Sequence, residues 1–382
     1  MAKSLANFDA KLSSVYQSAL ESGELIFTAS ETVKSTETEY EVDCEICYAP
    51  ALARKPQGVL PVVEADPNPK VTSAPTTSGD LHTAMPSTPV KKRIEKTNPF
   101  LPHSPALYVT DIGEEHKVLL NKFCIVPRHF LVVTKEFHPQ TEPLSPQDML
   151  AVWSCLNAVK DSRNALAFYN CGSRSGASQP HKHMQVIPLE TPSPISILVR
   201  ETSMRRPGKK ENRPGDIISV PFNCINHVYL LPDPAQSDKD EEEILIEAYI
   251  SLMDAMMTSI REYADQESLS DEEKSLCANG MSSFAYNWIL TKEFMMIVPR
   301  KQASSDPVDG VSLDVNSLGF ACMVLAKTPE VLTMVQKKGV INTVSETGFC
   351  FLREYYSPEK EQQRKEQQAI LEKQMAGAFS GL

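Results

Sequence analysis

The segment GASQPHKHMQVIP, residues 176–188, constrains this chain more than any other. Two of the 8 histidines stand in it one residue apart, and a glutamine follows at the same spacing. Residues i, i+2 and i+4 of a β-strand share a face. His181, His183 and Gln185 therefore point one way, and Lys182, Met184 and Val186 the other. Taken alone, H-x-H is most simply a polar-faced edge strand. The preceding loop, GSRSGASQ, changes that reading. Gly172 and Gly176 let backbone approach a ligand closely, and Ser173, Ser175, Ser178 and Gln179 add neutral donors. Such a loop suits phosphate oxygens. A neutral imidazole in line behind it is a good nucleophile toward phosphorus, provided its other nitrogen is held as a donor by a carbonyl or a polar side chain.

The chain has 382 residues and 41% hydrophobic content, enough for a sizeable core in one large α/β body or about two to three domains. Its net charge of -11 argues against a general binder of nucleic-acid backbones. A small anion remains admissible where lysines cluster. No apolar run approaches the roughly 18 residues of a membrane span, and the N-terminal stretch reads as an amphipathic helix, not a signal peptide. The 9 cysteines are odd in number and scattered, which fits a reduced cytosolic setting, with the nucleus also open. Cys44 and Cys47 form the one C-x-x-C, and zinc with His129 and His181 is conceivable there. The favoured reading is a half-buried strand, because Tyr40, Val42, Cys44 and Ile46 alternate with acidic residues.

Residues from about 57 to 100 are rich in Pro, Ser and Thr and read as a flexible insertion. Beyond them, ALYVTDIGEEHKVLLNKFCIVPRHFLVVTKEF predicts adjacent antiparallel strands. LSPQDMLAVWSCLNAVKD predicts a helix with Ser145 as N-cap, Pro146 in the first turn and Asp148 at the positive end of the dipole. The polar stretch after about residue 202 divides the chain. The second part carries a long helix with an acidic start and a strand pair, FAYNWILTKEFMMIVPRK. TKEF and IVPR occur in both parts, in opposite order, which raises the idea of two related halves. The expected division is 1–200, 201–355 and a charged helical tail over 356–382.

No GxxxxGK, GxSxG or HExxH is present. NCGSRSGASQPHKHMQ, HKVLLNKFCIVPRHFLVVTKEF, LSPQD, ALARKP, YNWILTKEFMMIVPRK and NSLGFACMVLAKTPE together resemble the fungal diadenosine tetraphosphate phosphorylases. These are also called ATP adenylyltransferases and belong to the histidine-triad/galactose-1-phosphate uridylyltransferase superfamily. The likeness covers most of the chain. Gln185 stands where classical triad proteins carry a third histidine.

The resemblance implies an α+β fold of antiparallel sheets with flanking helices in two related halves. It implies that His183 takes the adenylyl group, that Gln185 hydrogen-bonds the phosphate and that His181 orients the strand. Gly176, Ala177, Ser178 and Gln179 would wrap the phosphates, with Asn170 beside them. Lys55, Asn121, Lys122 and Lys301 match the family's substrate contacts, with Lys292 and Arg300 further candidates. The implied reaction is reversible phosphorolysis of diadenosine tetraphosphate to ADP and ATP, with sulfate also conceivable as acceptor. The expected partners are the dinucleotide and inorganic phosphate, with no nucleic acid and no membrane. A divalent metal such as Mg2+ would ride on the polyphosphate, although no ligand cluster in the chain demonstrates it. No organic cofactor is implied. Two other readings stay open here: a sugar-phosphate nucleotidyltransferase of the same superfamily, and a nucleotide-binding sensor without turnover. Pro180 departs from the family, where an acidic residue is usual, and the insertion is longer than the family requires.

Overall fold

Phe8–Glu21 forms the amphipathic helix expected at the N-terminus, α1, and buries Phe8, Leu12 and Ala19. The computed structural model describes residues 5–54, 98–204, 213–265 and 285–350, with Leu269, Lys274 and Cys277. Lys55, residues 57–97 of the insertion and the 356–382 tail lie outside the described residues. The first strands are β1 (Ile26–Phe27), β2 (Glu31–Glu37), β3 (Val42–Tyr48), β4 (Tyr108–Ile112), β5 (His116–Leu120), β6 (Phe123–Cys124) and β7 (Phe130–Thr134). Helix α2 (Pro146–Ala158), β8 (Leu166–Cys171), β9 (His183–Ile187) and α3 (Pro194–Met204) follow. The second part contributes β10 (Ile217–Ile218), β11 (His227–Leu230), α4 (Glu241–Ala264), β12 (Ala285–Leu290), β13 (Phe294–Arg300) and β14 (Met323–Ala326). Short helices at Ser317–Phe320, Pro329–Lys338 and Val340–Ser345 lie around and after β14.

Nine strands form one sheet in the order β10-β11-β13-β12-β8-β9-β7-β5-β4, and every pairing in it is antiparallel. The α+β expectation holds. β8 and β12 join the two parts of the chain edge to edge, with Asn170 opposite Asn287. β3 also pairs in parallel with β14, so an early strand is completed by a late one. The repeated IVPR does not share a structure. The first IVPR, at 125–128, is the turn before β7, whereas the second, at 297–300, lies inside β13.

Each face of the sheet is covered. Met184, Val186, Val132, Tyr169 and Trp288 pack on one face into the cluster that holds α1, α2 and α4. On the other face, Phe168, Ile187, Met296 and Val298 pack with α3, β3 and the C-terminal helices. A third, small cluster of Phe100, Leu119, Leu131 and Val133 lies on this second face, over β5 and β7. Gln185 is flanked by Phe168 of one cluster and Leu131 of the other. The sheet therefore places the polar side of β9 where two apolar layers meet. The local signals predicted for α2 are present as a capping box. Ser145 Oγ accepts from the Asp148 N–H at 3.1 Å, and Asp148 Oδ2 accepts from the Ser145 N–H at 2.8 Å.

Candidate active site

The alternation read from the sequence is realised in β9. Met184 and Val186 enter the helix-covered core, while His183 and Gln185 face the junction of the other two clusters. Lys182, on the helix side, reaches Asp148 of α2 at 2.6 Å, and His116 Nε2 meets the same carboxylate at 2.7 Å. Asp148 is held well below the usual carboxylate range by these partners, against the raising effect of burial. The histidine strand is thus pinned from behind by a satisfied charge cluster.

His183 is 4% exposed, and its Nδ1–H donates to the His181 carbonyl at 2.8 Å. That bond sets the tautomer and leaves the Nε2 lone pair for chemistry. Burial lowers the pKa of His183 to about 4, so the imidazole is neutral at physiological pH. Gln140 clamps the backbone here. Its Oε1 accepts from the His183 N–H at 2.8 Å, and its Nε2 donates to the carbonyls of Asn170 and His183. His181 is fully buried, and its Nε2–H donates to the Thr134 carbonyl at 2.9 Å. Its Nδ1 accepts from Asn98 Nδ2 at 2.9 Å. The Phe100 ring packs on both histidines, with centroids 5.5 Å from His181 and 5.3 Å from His183. Composition alone extends the flexible insertion to about residue 100, whereas Asn98 and Phe100 are docked in the structure. The chain docks on the histidine strand from Asn98 onward because Phe100 has an apolar cluster to join and Asn98 has an imidazole to satisfy.

The glycine loop enters from β8. Gly172 and Gly176 both have φ of +81°, a region that favours glycine. A Cβ on Gly176 would lie 2.5 Å from the Val315 carbonyl oxygen, so the loop passes hard against the second part of the chain. Ala177 is buried, Gln179 half-buried and Ser178 exposed. The Ser175 carbonyl accepts from Asn287 Nδ2 at 2.9 Å, and Asn170 Oδ1 accepts from Asn287 Nδ2, the Ser317 N–H and Ser317 Oγ.

Two expected substrate contacts have partners within the protein. Arg300 is fully buried, and its guanidinium donates to Asn287 Oδ1 and to the carbonyls of Ser175, Gln302, Ala303, Val315 and Thr347. These bonds occupy its N–H groups, so it braces the loop from beneath. Lys292 sits in the turn between β12 and β13, at the end of β12 remote from the glycine loop, with its ammonium over the Trp153 ring and hydrogen-bonded to Asn157. Lys301 follows β13 at the loop end of the sheet, where its N–H donates to the Thr347 carbonyl. Lys122 is exposed after β5, and Asn121 beside it binds His129. The zinc alternative fails on geometry: Cys44 and Cys47 point to opposite faces of β3, one buried and one half-buried. His129 and His181 lie instead just ahead of β7 and β9, at the nine-stranded sheet, whereas β3 belongs to a different sheet. Among the described residues no group of three or more His, Cys, Asp or Glu side chains is placed to hold a metal ion.

Sequence reasoning missed Asn98, Phe100, Thr134, Gln140 and Lys117 and gave His129 no part in this site. Lys117 is almost wholly buried on the site face of β5 and donates to the Phe100 carbonyl at 3.0 Å. Its register opposite Val133, which lies opposite His183, is the signal that could have found it once the strands were paired.

Comparison with known proteins agrees with this geometry. Residues 82–201 match the family model of the Ap4A phosphorylase N-terminal domain, and 218–350 that of the ATP adenylyltransferase C-terminal domain. Protein APA1 of Saccharomyces cerevisiae is 27% identical over 90% of this chain and 95% of its own length. Diadenosine 5',5'''-P1,P4-tetraphosphate phosphorylase 2 of the same yeast is 31% identical, over 74% of this chain and 86% of its own. The crystal structure of yeast Ap4A phosphorylase Apa2 in complex with AMP aligns with a TM-score of 0.65 and 26% identity, covering 91% of this chain and 98% of that one. The complex of Apa2 with Ap4A aligns with a TM-score of 0.64 and 25% identity, covering 90% and 98%. The histidine strand, its glycine loop and these matches on both parts of the chain place the protein in the diadenosine tetraphosphate (Ap4A) phosphorylase family.

Proposed function

We propose that this chain catalyses the phosphorolysis of diadenosine tetraphosphate to ADP and ATP through an adenylyl group carried on His183. The observation that carries the reading is the commitment of His183 Nδ1–H to the His181 carbonyl, which leaves Nε2 as the nucleophilic atom beside the glycine loop. Nε2 attacks an α-phosphorus, a P–N bond forms, and the bridging P–O bond breaks with its electron pair leaving on ATP. Inorganic phosphate then attacks the same phosphorus. The P–N bond breaks, its pair returns to Nε2, and ADP departs. Two in-line displacements retain configuration at phosphorus. The His181 carbonyl stabilises positive charge that grows on the ring in the first step. Lys55, Lys122 and Lys301 hold the polyphosphate, and Gln185 donates to the reacting phosphate. A Mg2+ ion would reach the site on the substrate's own oxygens. The nine cysteines are free thiols, which supports a reducing, cytosolic setting.

The test is brief exposure to α-labelled substrate without phosphate, followed by denaturation. Label should stay on the protein in an acid-labile, base-stable bond, and His183→Ala should carry none. Adding phosphate should release ADP. Wild-type protein that forms no labelled adduct under single-turnover conditions, or an NDP-sugar as the product, would remove this reading.

A further inference from the structure

Gln185 is useful to a phosphate only if its amide N–H2 group, and not its oxygen, faces the reacting centre. The orientation of a side-chain amide is set by the hydrogen-bond network around it. Here the network has an unambiguous end. The backbone N–H of Phe123 can only donate, and it donates to Asn121 Oδ1 at 3.4 Å. Asn121 must then present its Nδ2–H2 to the next partner, His129 Nδ1, at 3.0 Å. An imidazole nitrogen that accepts carries no proton, so His129 bears its proton on Nε2. Nε2 lies 3.1 Å from Gln185 Oε1 and donates to it. The amide nitrogen of Gln185 is thereby turned away from His129. Reversing any one member would set two donors or two acceptors against each other.

We propose that His129 is a positioning residue for adenylyl transfer: with Asn121 it forms a directional relay that holds Gln185 with its N–H2 group toward the phosphate on His183. The geometry supports a dedicated role. His129 is the residue just before β7, on the same side as Leu131 and Val133, and Leu131 is in register with Gln185. Its own backbone is tied to Asn121, whose N–H donates to the His129 carbonyl at 2.9 Å. Burial keeps the ring neutral, with a pKa lowered to about 4, so the one-proton tautomer that the relay needs persists across the physiological range. Among the described residues the ring nitrogens of His129 are hydrogen-bonded to Asn121 and Gln185, and the ring packs against Phe168. Residues i and i+2 on a strand face are neighbours, so a donor on Gln185 is within reach of a phosphoryl group on His183.

This proposal rests on the function proposed above, and a double-mutant cycle separates the two. Turnover of diadenosine tetraphosphate with phosphate is measured for His129→Ala, Gln185→Ala, the double variant and His129→Gln, each checked for wild-type melting. Gln185→Ala should lower kcat by about 10- to 100-fold. His129→Ala should do nearly the same, with KM within about threefold, and should cost nothing further in the Gln185→Ala background. His129→Gln, which can accept from Asn121 and donate to Gln185, should recover most of the loss. Multiplying effects in the double variant would overturn the relay and leave the role of Gln185 intact. An unchanged kcat in Gln185→Ala would overturn both. Should His129→Ala fail to fold, ¹⁵N spectra of histidine-labelled wild-type protein decide the matter: an Nε2–H tautomer at His129 supports the relay, and an Nδ1–H tautomer overturns it.

Discussion

His183 and His129 are both buried imidazoles with pKa values lowered to about 4 from 6.5, chiefly by loss of water. The same burial that keeps these imidazoles neutral makes folding pH-dependent. Between about 6.5 and about 4 the unfolded chain binds protons that the folded chain refuses, so stability falls as pH drops through that window and levels off below it. Each group contributes roughly 3 kcal/mol over the full window. Urea midpoints should therefore decline from pH 7 toward pH 4.5, and His183→Asn should decline less steeply, by close to one proton's worth. Equal slopes for the two proteins would show that His183 is not titrating as its burial dictates. Activity should hold level down to about pH 5 and fall only as the folded imidazoles protonate.

At the scale of elements, β9 is the strand that must not move, and it is held through both its backbone and its helix-side lysine. Gln140 bridges its backbone to that of β8, and the Lys182–Asp148–His116 cluster anchors it to α2 and β5 on the helix side. Asp148 also closes the capping box of α2, so one carboxylate fixes a helix start, a strand register and a buried lysine. Asp148→Ala leaves Lys182 buried and unpaired and should cost about 3–5 kcal/mol in denaturant unfolding. Lys182→Met in the same background should recover a large part of that, because it removes the stranded charge and keeps the packing volume. No gain from the second change would mean that the helix cap, not the buried ion pair, carries the loss.

At the scale of the molecule, the docking of Asn98 and Phe100 on the histidine strand sets a boundary for what the chain can lose. Excising about 25 residues between Val71 and Lys96 should leave turnover within a few-fold, since their composition supplies little to bury. Replacing Asn98 and Phe100 by alanine should lower kcat far more, by removing the partner of His181 Nδ1 and the ring that covers both histidines. Equal effects of the two changes would show that the insertion itself builds the site. The continuous sheet sets a second boundary. β8 and β12 are buried on both faces and pair along their length, so neither part of the chain can present its own edge to water without cost.

The chain's local patterns determined a good deal. The period-2 alternation of HKHMQ sent His183 and Gln185 to one face and Met184 to the other, because side-chain direction in a strand depends on neighbours alone. Ser145, Pro146 and Asp148 marked the start of α2, because a cap is closed within three residues. Tertiary structure decided who meets those side chains. Arg300 and Lys292 looked like ligands in a matched motif, yet burial under the loop turned one into a brace, and the far turn of β12 carried the other away. Asn98, His129 and Gln140 are distant from β9 in sequence and reach it only through strand pairing and the packing of Phe100. Their roles depend on which donor faces which acceptor across elements. That information exists only once the sheet has brought them together.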